Sequence, residues 1–188
     1  MSRRVRWILL ALLVVIVGAL VALVVTQQPK LDDARAKVDT TWKPLRAPDQ
    51  LRLRYQKLEG ALSAFDAAGG KGRGVSIDLH AALDRWNRAL RGGDAGAQVA
   101  AANALEAQGT RLVSNVTGSE RLKGDAAVTD AVVAFTTTKP DPALVNAYNQ
   151  AARDYEDERS GTFAQPVARI FGFDERPVLA LGAGAGAG

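Results

Sequence analysis

Cysteine is absent from the 188 residues, so no disulfide can staple the chain and no thiolate can serve as nucleophile or metal ligand. Histidine occurs once, at His80, and together with the missing thiols this excludes the clustered nitrogen and sulfur ligands that a transition-metal site needs. Aromatic residues are scarce at 6%, and 18 glycines with several alanine-rich runs leave few large apolar side chains, which predicts a thin core. A strong net charge is lacking too. Arg3, Arg4 and Arg6 precede every acidic residue, and without them the remainder of the 24 basic side chains nearly balances 20 acidic ones. A near-neutral body argues against nucleic acid as a partner.

One long apolar run is present. Trp7 to Val25 is 19 residues without a charged or polar side chain, and at ~1.5 Å per residue it spans about 28 Å, close to the hydrocarbon thickness of a bilayer. Fourteen of these residues are Leu, Ile or Val; together they favour insertion by about 4 to 8 kcal/mol. A buried core helix would not need to be apolar on every face in a domain of this size. A cleaved signal peptide has a shorter apolar region ending at small residues, whereas this run exits through Val25-Thr26-Gln27-Gln28-Pro29. The expectation is a signal anchor: one transmembrane helix that contacts lipid through residues 7–25, within a segment 1–28. Three arginines before the run outweigh Lys30 after it, which places the N-terminus in the cytoplasm and the rest outside a bacterial inner (plasma) membrane.

The remaining chain, about 160 residues, is the usual size of one domain. Pro29 is expected to end the anchor as an extended segment, with a short helix over Asp32 to Val38 before Trp42, Pro44 and Pro48, so residues 29–48 read as a linker. Asp49 offers a helix cap, followed by Leu51, Tyr55, Leu58, Leu62 and Phe65 at spacings of 4, 3, 4 and 3. Glycines 69 to 74 stop that helix. Ser76 is expected to cap the next, where Leu79, Leu83, Trp86 and Leu90 repeat the pattern before Gly92-Gly93. A third helix, Ala95 to Val116, carries a weaker stripe of Val99, Leu105, Leu112 and Val116. Residues 120–136 read as a fourth through Leu122, Ala126, Val132 and Val133. Pro140-Asp141-Pro142 then opens a helix with Leu144, Tyr148, Ala151 or Ala152, and Tyr155 on one stripe. No stretch alternates with period two, so the predicted class is all-α: a transmembrane helix, then an antiparallel helical bundle of coiled-coil-like packing over residues 49–178. Phe163, Val167, Ile170, Phe171 and Phe173 crowd the end of the bundle, to fold back on it or to be displayed to a partner. Residues 179–188 read as a flexible Gly-Ala tail.

The run Tyr148-Asn149-Gln150-Ala151-Ala152-Arg153-Asp154-Tyr155, followed by Phe171-Gly172-Phe173, resembles the signature of LemA-family proteins. The order of parts agrees: a short basic flank, one N-terminal span and an all-α body. The resemblance implies a helical bundle outside the cytoplasm in a family without an established enzymatic activity. Two regions depart from it. After Trp42 the chain reads Lys43-Pro44-Leu45-Arg46-Ala47-Pro48-Asp49-Gln50-Leu51, without the family's Arg-Arg-x-Asp-Leu-x-Pro-Asn-Leu stretch. Before Tyr148, where the family has a continuous helix, stands Thr136-Thr137-Thr138-Lys139-Pro140-Asp141-Pro142. The chain therefore reads as a divergent member.

A search for chemistry finds weak patterns. Ser76, Asp78 and His80 are the residue types of a catalytic triad, but residues two apart point to different sides of a helix. Glycines 69, 70, 72 and 74 lack the Gly-Lys-Ser/Thr ending of a phosphate loop. Asp154, Glu156, Asp157 and Glu158 alternate with Arg153 and Arg159 as a solvated helix face does. Asn115-Val116-Thr117 has the pattern of a glycosylation acceptor, which a bacterial membrane protein does not ordinarily use. Tyr148 and Tyr155 are expected inside the bundle with their hydroxyls at its edge. No catalytic, cofactor-binding or metal-binding residue is assigned, no cofactor is expected, and the expected role is a membrane-anchored scaffold or interaction module. Its partner would be another envelope protein or a second copy of itself. The alternative is a sensor or binder of a small envelope ligand.

Overall fold

The computed structural model describes residues 3–182. Residues 1, 2 and 183–188, which include most of the expected Gly-Ala tail, lie outside the described residues. The described chain is all-helical, with no strand. Helix α1 (Arg3–Leu45) contains the apolar run, whose described side chains are largely exposed, and among the described residues it is the one helix long and apolar enough to cross a membrane.

Helix α1 does not stop at Pro29. It continues to Leu45 with Pro29 and Pro44 inside it, so residues 29–48 are not a linker. A proline in a helix interior costs about 3 kcal/mol through its missing N–H and its clash with the preceding turn. The compensation is packing. Leu31, Val38, Trp42 and Leu45, spaced 7, 4 and 3, are all fully buried, and burying each large apolar side chain contributes about 1.5–3 kcal/mol.

Helix α2 (Leu51–Phe65) buries the predicted stripe of Leu51, Tyr55, Leu58, Leu62 and Phe65 and ends in a wide turn over residues 66–70. Its cap position is Gln50, with no side-chain capping bond, rather than Asp49. Helix α3 (Gly74–Gly92) begins after Arg73, so Ser76 is not its cap; Ser76 points into the core two residues inside the helix. Helix α4 (Ala95–Thr117) is capped by Asp94, whose carboxylate accepts from the Ala97 N–H at 2.7 Å. The predicted fourth helix is two, α5 (Glu120–Lys123) and α6 (Ala126–Thr137). The chain breaks at Gly124, and Asp125 caps α6 by accepting from the Ala127 and Val128 N–H groups. That break rotates the stripe, so the buried residues are Leu122, Val128, Val132 and Phe135, while Ala126 and Val133 face out. Helix α7 (Pro142–Ser160) starts as predicted, with Asp141 as cap and Pro142 in its first turn.

The helices pair antiparallel. Lys37 meets Asp154 and Trp42 packs on Tyr148, so α1 runs up as α7 runs down. Asp78 meets Arg111 and the Ala89 carbonyl meets Gln98, which fixes the same relation for α3 and α4. Helix α8 (Ala164–Phe171) packs on α1 and α7. The aromatic-rich segment is divided between the two expected fates. Val167 and Phe173 are buried, whereas Phe163 and Ile170 are exposed.

Candidate functional site

The most elaborate constellation of polar side chains binds the chain's own C-terminal strap. Gly172 ends α8 with φ +69°, a left-handed turn natural to glycine, and residues 173–182 run back along α7 without helix or strand. Helix α7 presents its hydrogen-bonding groups at heptad-like spacing. The Tyr155 hydroxyl donates to the Asp174 carbonyl at 2.9 Å, the Glu156 carboxylate accepts from the Arg176 N–H at 2.6 Å, and the Tyr148 hydroxyl donates to the Pro177 carbonyl at 2.8 Å.

Two asparagines complete the clasp. The Asn149 amide donates to the Leu179 carbonyl at 3.0 Å and accepts from the Leu179 N–H at 2.7 Å. From α4, Asn103 donates to the Val178 carbonyl and accepts from the Ala180 N–H, both at 2.8 Å. A primary amide carries a donor and an acceptor side by side, so each asparagine reads the strap's backbone as a neighbouring strand would. Leu179 is buried between them. Gly96 lets the strap lie against α4: a methyl group there would come 2.8 Å from the Glu175 carbonyl and 2.5 Å from the Arg176 guanidinium.

Two buried arginines anchor the network. Arg176, 1% exposed, reaches Asp94 at 3.0 Å and faces Asp39 at 3.7 Å, tying the strap to the start of α4 and to α1. Burial disfavours ionisation of Asp94, but the Ala97 N–H and the Arg176 charge outweigh it and hold the carboxyl below its ordinary range. Arg54 lies at the centre of the bundle, 0% exposed, and forms a bidentate pair with Glu106 through Nε to Oε1 at 2.6 Å and Nη2 to Oε2 at 2.8 Å. Its remaining Nη1 donates to the Phe135 and Thr138 carbonyls, and the guanidinium stacks 4.4 Å over the Phe135 ring. Glu106 Oε2 also accepts from the Gly182 N–H, so the end of the strap docks on this pair.

Tyr55 is buried beside Glu106, and its hydroxyl has no well-formed hydrogen bond. Burial first, and the Glu106 charge second, hold its pKa well above the ordinary value. Burial likewise raises Tyr148 and Tyr155. These are all the tyrosines of the chain. A raised phenol contributes stability that is intact below the unfolded pKa of about 10 and is lost as pH climbs toward the native value. An alkaline titration followed by ultraviolet absorbance should therefore show the phenols staying protonated beyond their ordinary range, then ionising together with loss of the helical circular dichroism signal. Phenolate formation near pH 10 with helicity intact would contradict this.

The patterns weighed in the sequence do not assemble. Ser76 is buried, Asp78 pairs with Arg111 at 2.8 Å, and His80 pairs with Asp66 at 3.0 Å, so the three residue types are dispersed. Asp154 is held by Lys37 and Gln150, and Glu156 by Arg159 and the strap. Among the described residues no group of three His, Cys, Asp or Glu side chains could hold a metal ion. The Asn115 amide donates to the Arg111 carbonyl and the Thr117 hydroxyl to the Val113 carbonyl, ordinary back-bonding within α4. Surface clefts are shallow; one of about 210 Å³ lies between α2 and α3 beside Tyr55 and Trp86, and one of about 350 Å³ lies beside Glu156 and Arg176. Asn103, Glu106 and Arg54 were missed in the sequence, and only the isolated charges at otherwise apolar helix positions could have signalled the pair. No protein-family model, curated protein or solved structure matches this chain.

Proposed function

We propose that the chain is a membrane-tethered helical module of the LemA type, a scaffold that presents its bundle to another envelope protein or to its own copies outside the cytoplasm. The observation that carries the reading is the single helix α1. Its N-terminal part is an exposed apolar rod and its C-terminal part supplies Leu31, Val38, Trp42 and Leu45 to the core. A bundle that shares a helix with its anchor is held at a fixed height above the membrane, which suits presentation to a partner better than a tether of free linker.

The clasp adds support for the family reading. Tyr148, Asn149 and Tyr155, three residues of the resembling motif, all hold the segment that follows Phe171-Gly172-Phe173. The motif thus has a structural reason that is independent of any reaction.

The absence of cysteine makes topology directly testable. In intact cells expressing Asp49→Cys, a membrane-impermeant maleimide should label the exposed turn after α1 while the chain remains in the carbonate-washed membrane fraction. Labelling only after permeabilisation would reverse the orientation, and release by carbonate would remove the tether. In the same cells, cross-linking of the full chain should capture a protein at near-equal stoichiometry or a second copy. Capture of neither would sink the scaffold reading.

A further inference from the structure

The register of α1 against α7 fixes the height of α8. Lys37 pairs with Asp154 in an antiparallel arrangement, so the end of α7 at Ser160 is level with Leu31. Leu23 and Val24 are nonetheless partly covered and packed on the core, and at ~1.5 Å per residue they lie about 10 to 12 Å nearer the N-terminus than α7 reaches. The helix placed to cover them is α8, which packs on α1 after the chain has left α7. Leu23 and Val24 belong to the last turn of the apolar run, so α8 lies beside the point where that run ends.

At this height α8 has an apolar flank with no cover from the chain. Ala164, Val167 and Ala168 face inward. Phe163 and Ile170, seven residues apart and therefore on one flank, are 66% and 72% exposed, and Phe171 is 45% exposed. A helix on an aqueous surface would place polar residues there. Arg169, beside Ile170 on α8, and Lys30, beside Leu31 on α1, are exposed cations. Val21 and Val25 of α1, on either side of Leu23 and Val24 in the chain, are exposed as well.

We propose that α8 is a second, in-plane membrane contact: Phe163, Ile170 and Phe171 enter the boundary between acyl chains and headgroups, and Arg169 and Lys30 lie at the level of lipid phosphates. The proposal rests on the reading of α1 as an anchor and adds to it. A helix lying in the bilayer surface beside a spanning helix fixes the tilt of the bundle, which one span alone leaves free. The occupant is lipid rather than a second copy because the flank sits where the apolar surface of α1 itself requires lipid.

The test uses the full chain in phosphatidylcholine–phosphatidylglycerol vesicles with spin-labelled acyl chains. Phe163→Cys, Ile170→Cys, Val21→Cys and Asp49→Cys each carry a single environment-sensitive fluorophore; all four positions are exposed, so the fold is retained. The expected result is strong quenching at Val21 by deep spin labels, several-fold quenching at Phe163 and Ile170 by shallow ones, and none at Asp49. Quenching at Val21 with Phe163 and Ile170 behaving as Asp49 does would overturn the proposal and leave the anchor standing, including the case in which a second copy covers the flank. No quenching at Val21 would remove the anchor reading and this proposal with it.

Discussion

Glu106→Leu should lower the unfolding free energy by about 3–5 kcal/mol, because it leaves the Arg54 guanidinium buried without its counter-charge. That is a large share of the ~5–15 kcal/mol that a domain of this size possesses. The argument follows from burial. Arg54 and Glu106 are 0% and 1% exposed, and the carboxylate takes both parallel guanidinium bonds together with the Gly182 N–H. The double variant Arg54→Met with Glu106→Leu removes both charges and should recover much of the loss. It does not recover all of it, because the Phe135 and Thr138 carbonyls lose their donor and each orphaned group costs about 1–3 kcal/mol. Urea denaturation of the full chain in detergent measures both variants against the unsubstituted chain. A single-variant loss within the ~0–1 kcal/mol of a surface ion pair would refute the buried-pair argument.

The second large effect lies in the segment that reads as a linker. Trp42→Ala should cost about 3–5 kcal/mol, the usual range for truncating a buried tryptophan. Trp42 is 1% exposed, its indole N–H donates to Gln98 Oε1 at 2.7 Å, and its ring lies 5.1 Å from that of Tyr148. The exposed neighbour Thr40→Ala is the control and should stay within about ±0.5 kcal/mol. Equal, small effects at both positions would mean that α1 beyond the span is dispensable to the bundle.

Much of the helix layout was legible from spacing. The 4, 3 stripe on α2 is buried throughout, that on α3 is buried at Leu79, Leu83 and Trp86 and half-buried at Leu90, the weaker stripe on α4 is buried at all four positions, and Asp141-Pro142 marks the start of α7. The errors have two causes. Pro29 and Pro44 act by their local effect in the sequence reading, and the competing signal, Leu31, Val38, Trp42 and Leu45 at spacings of 7, 4 and 3, outweighs it through burial, whereas Pro48 does lie in the turn between α1 and α2. Ser76 and Asp49 were placed by cap propensity, which weighs about 1 kcal/mol and yields to where the apolar face must sit. The clasp was only half visible. Tyr148 and Tyr155 carried a signal through their spacing, while Asn103, 46 residues upstream of Asn149, carried none.

By itself the sequence determined an all-α chain with one run apolar enough to span a membrane, since hydropathy and helical periodicity are local properties of consecutive residues. It also determined that thiol chemistry and clustered soft metal ligands are out of reach, because composition cannot be undone by folding. Tertiary structure alone decided that the apolar run and the core share one helix, that Arg54 and Glu106 meet, and that residues 173–182 form a strap read by two asparagines. Each of these is a contact between residues distant in the chain, and its free energy exists only once both partners are brought together.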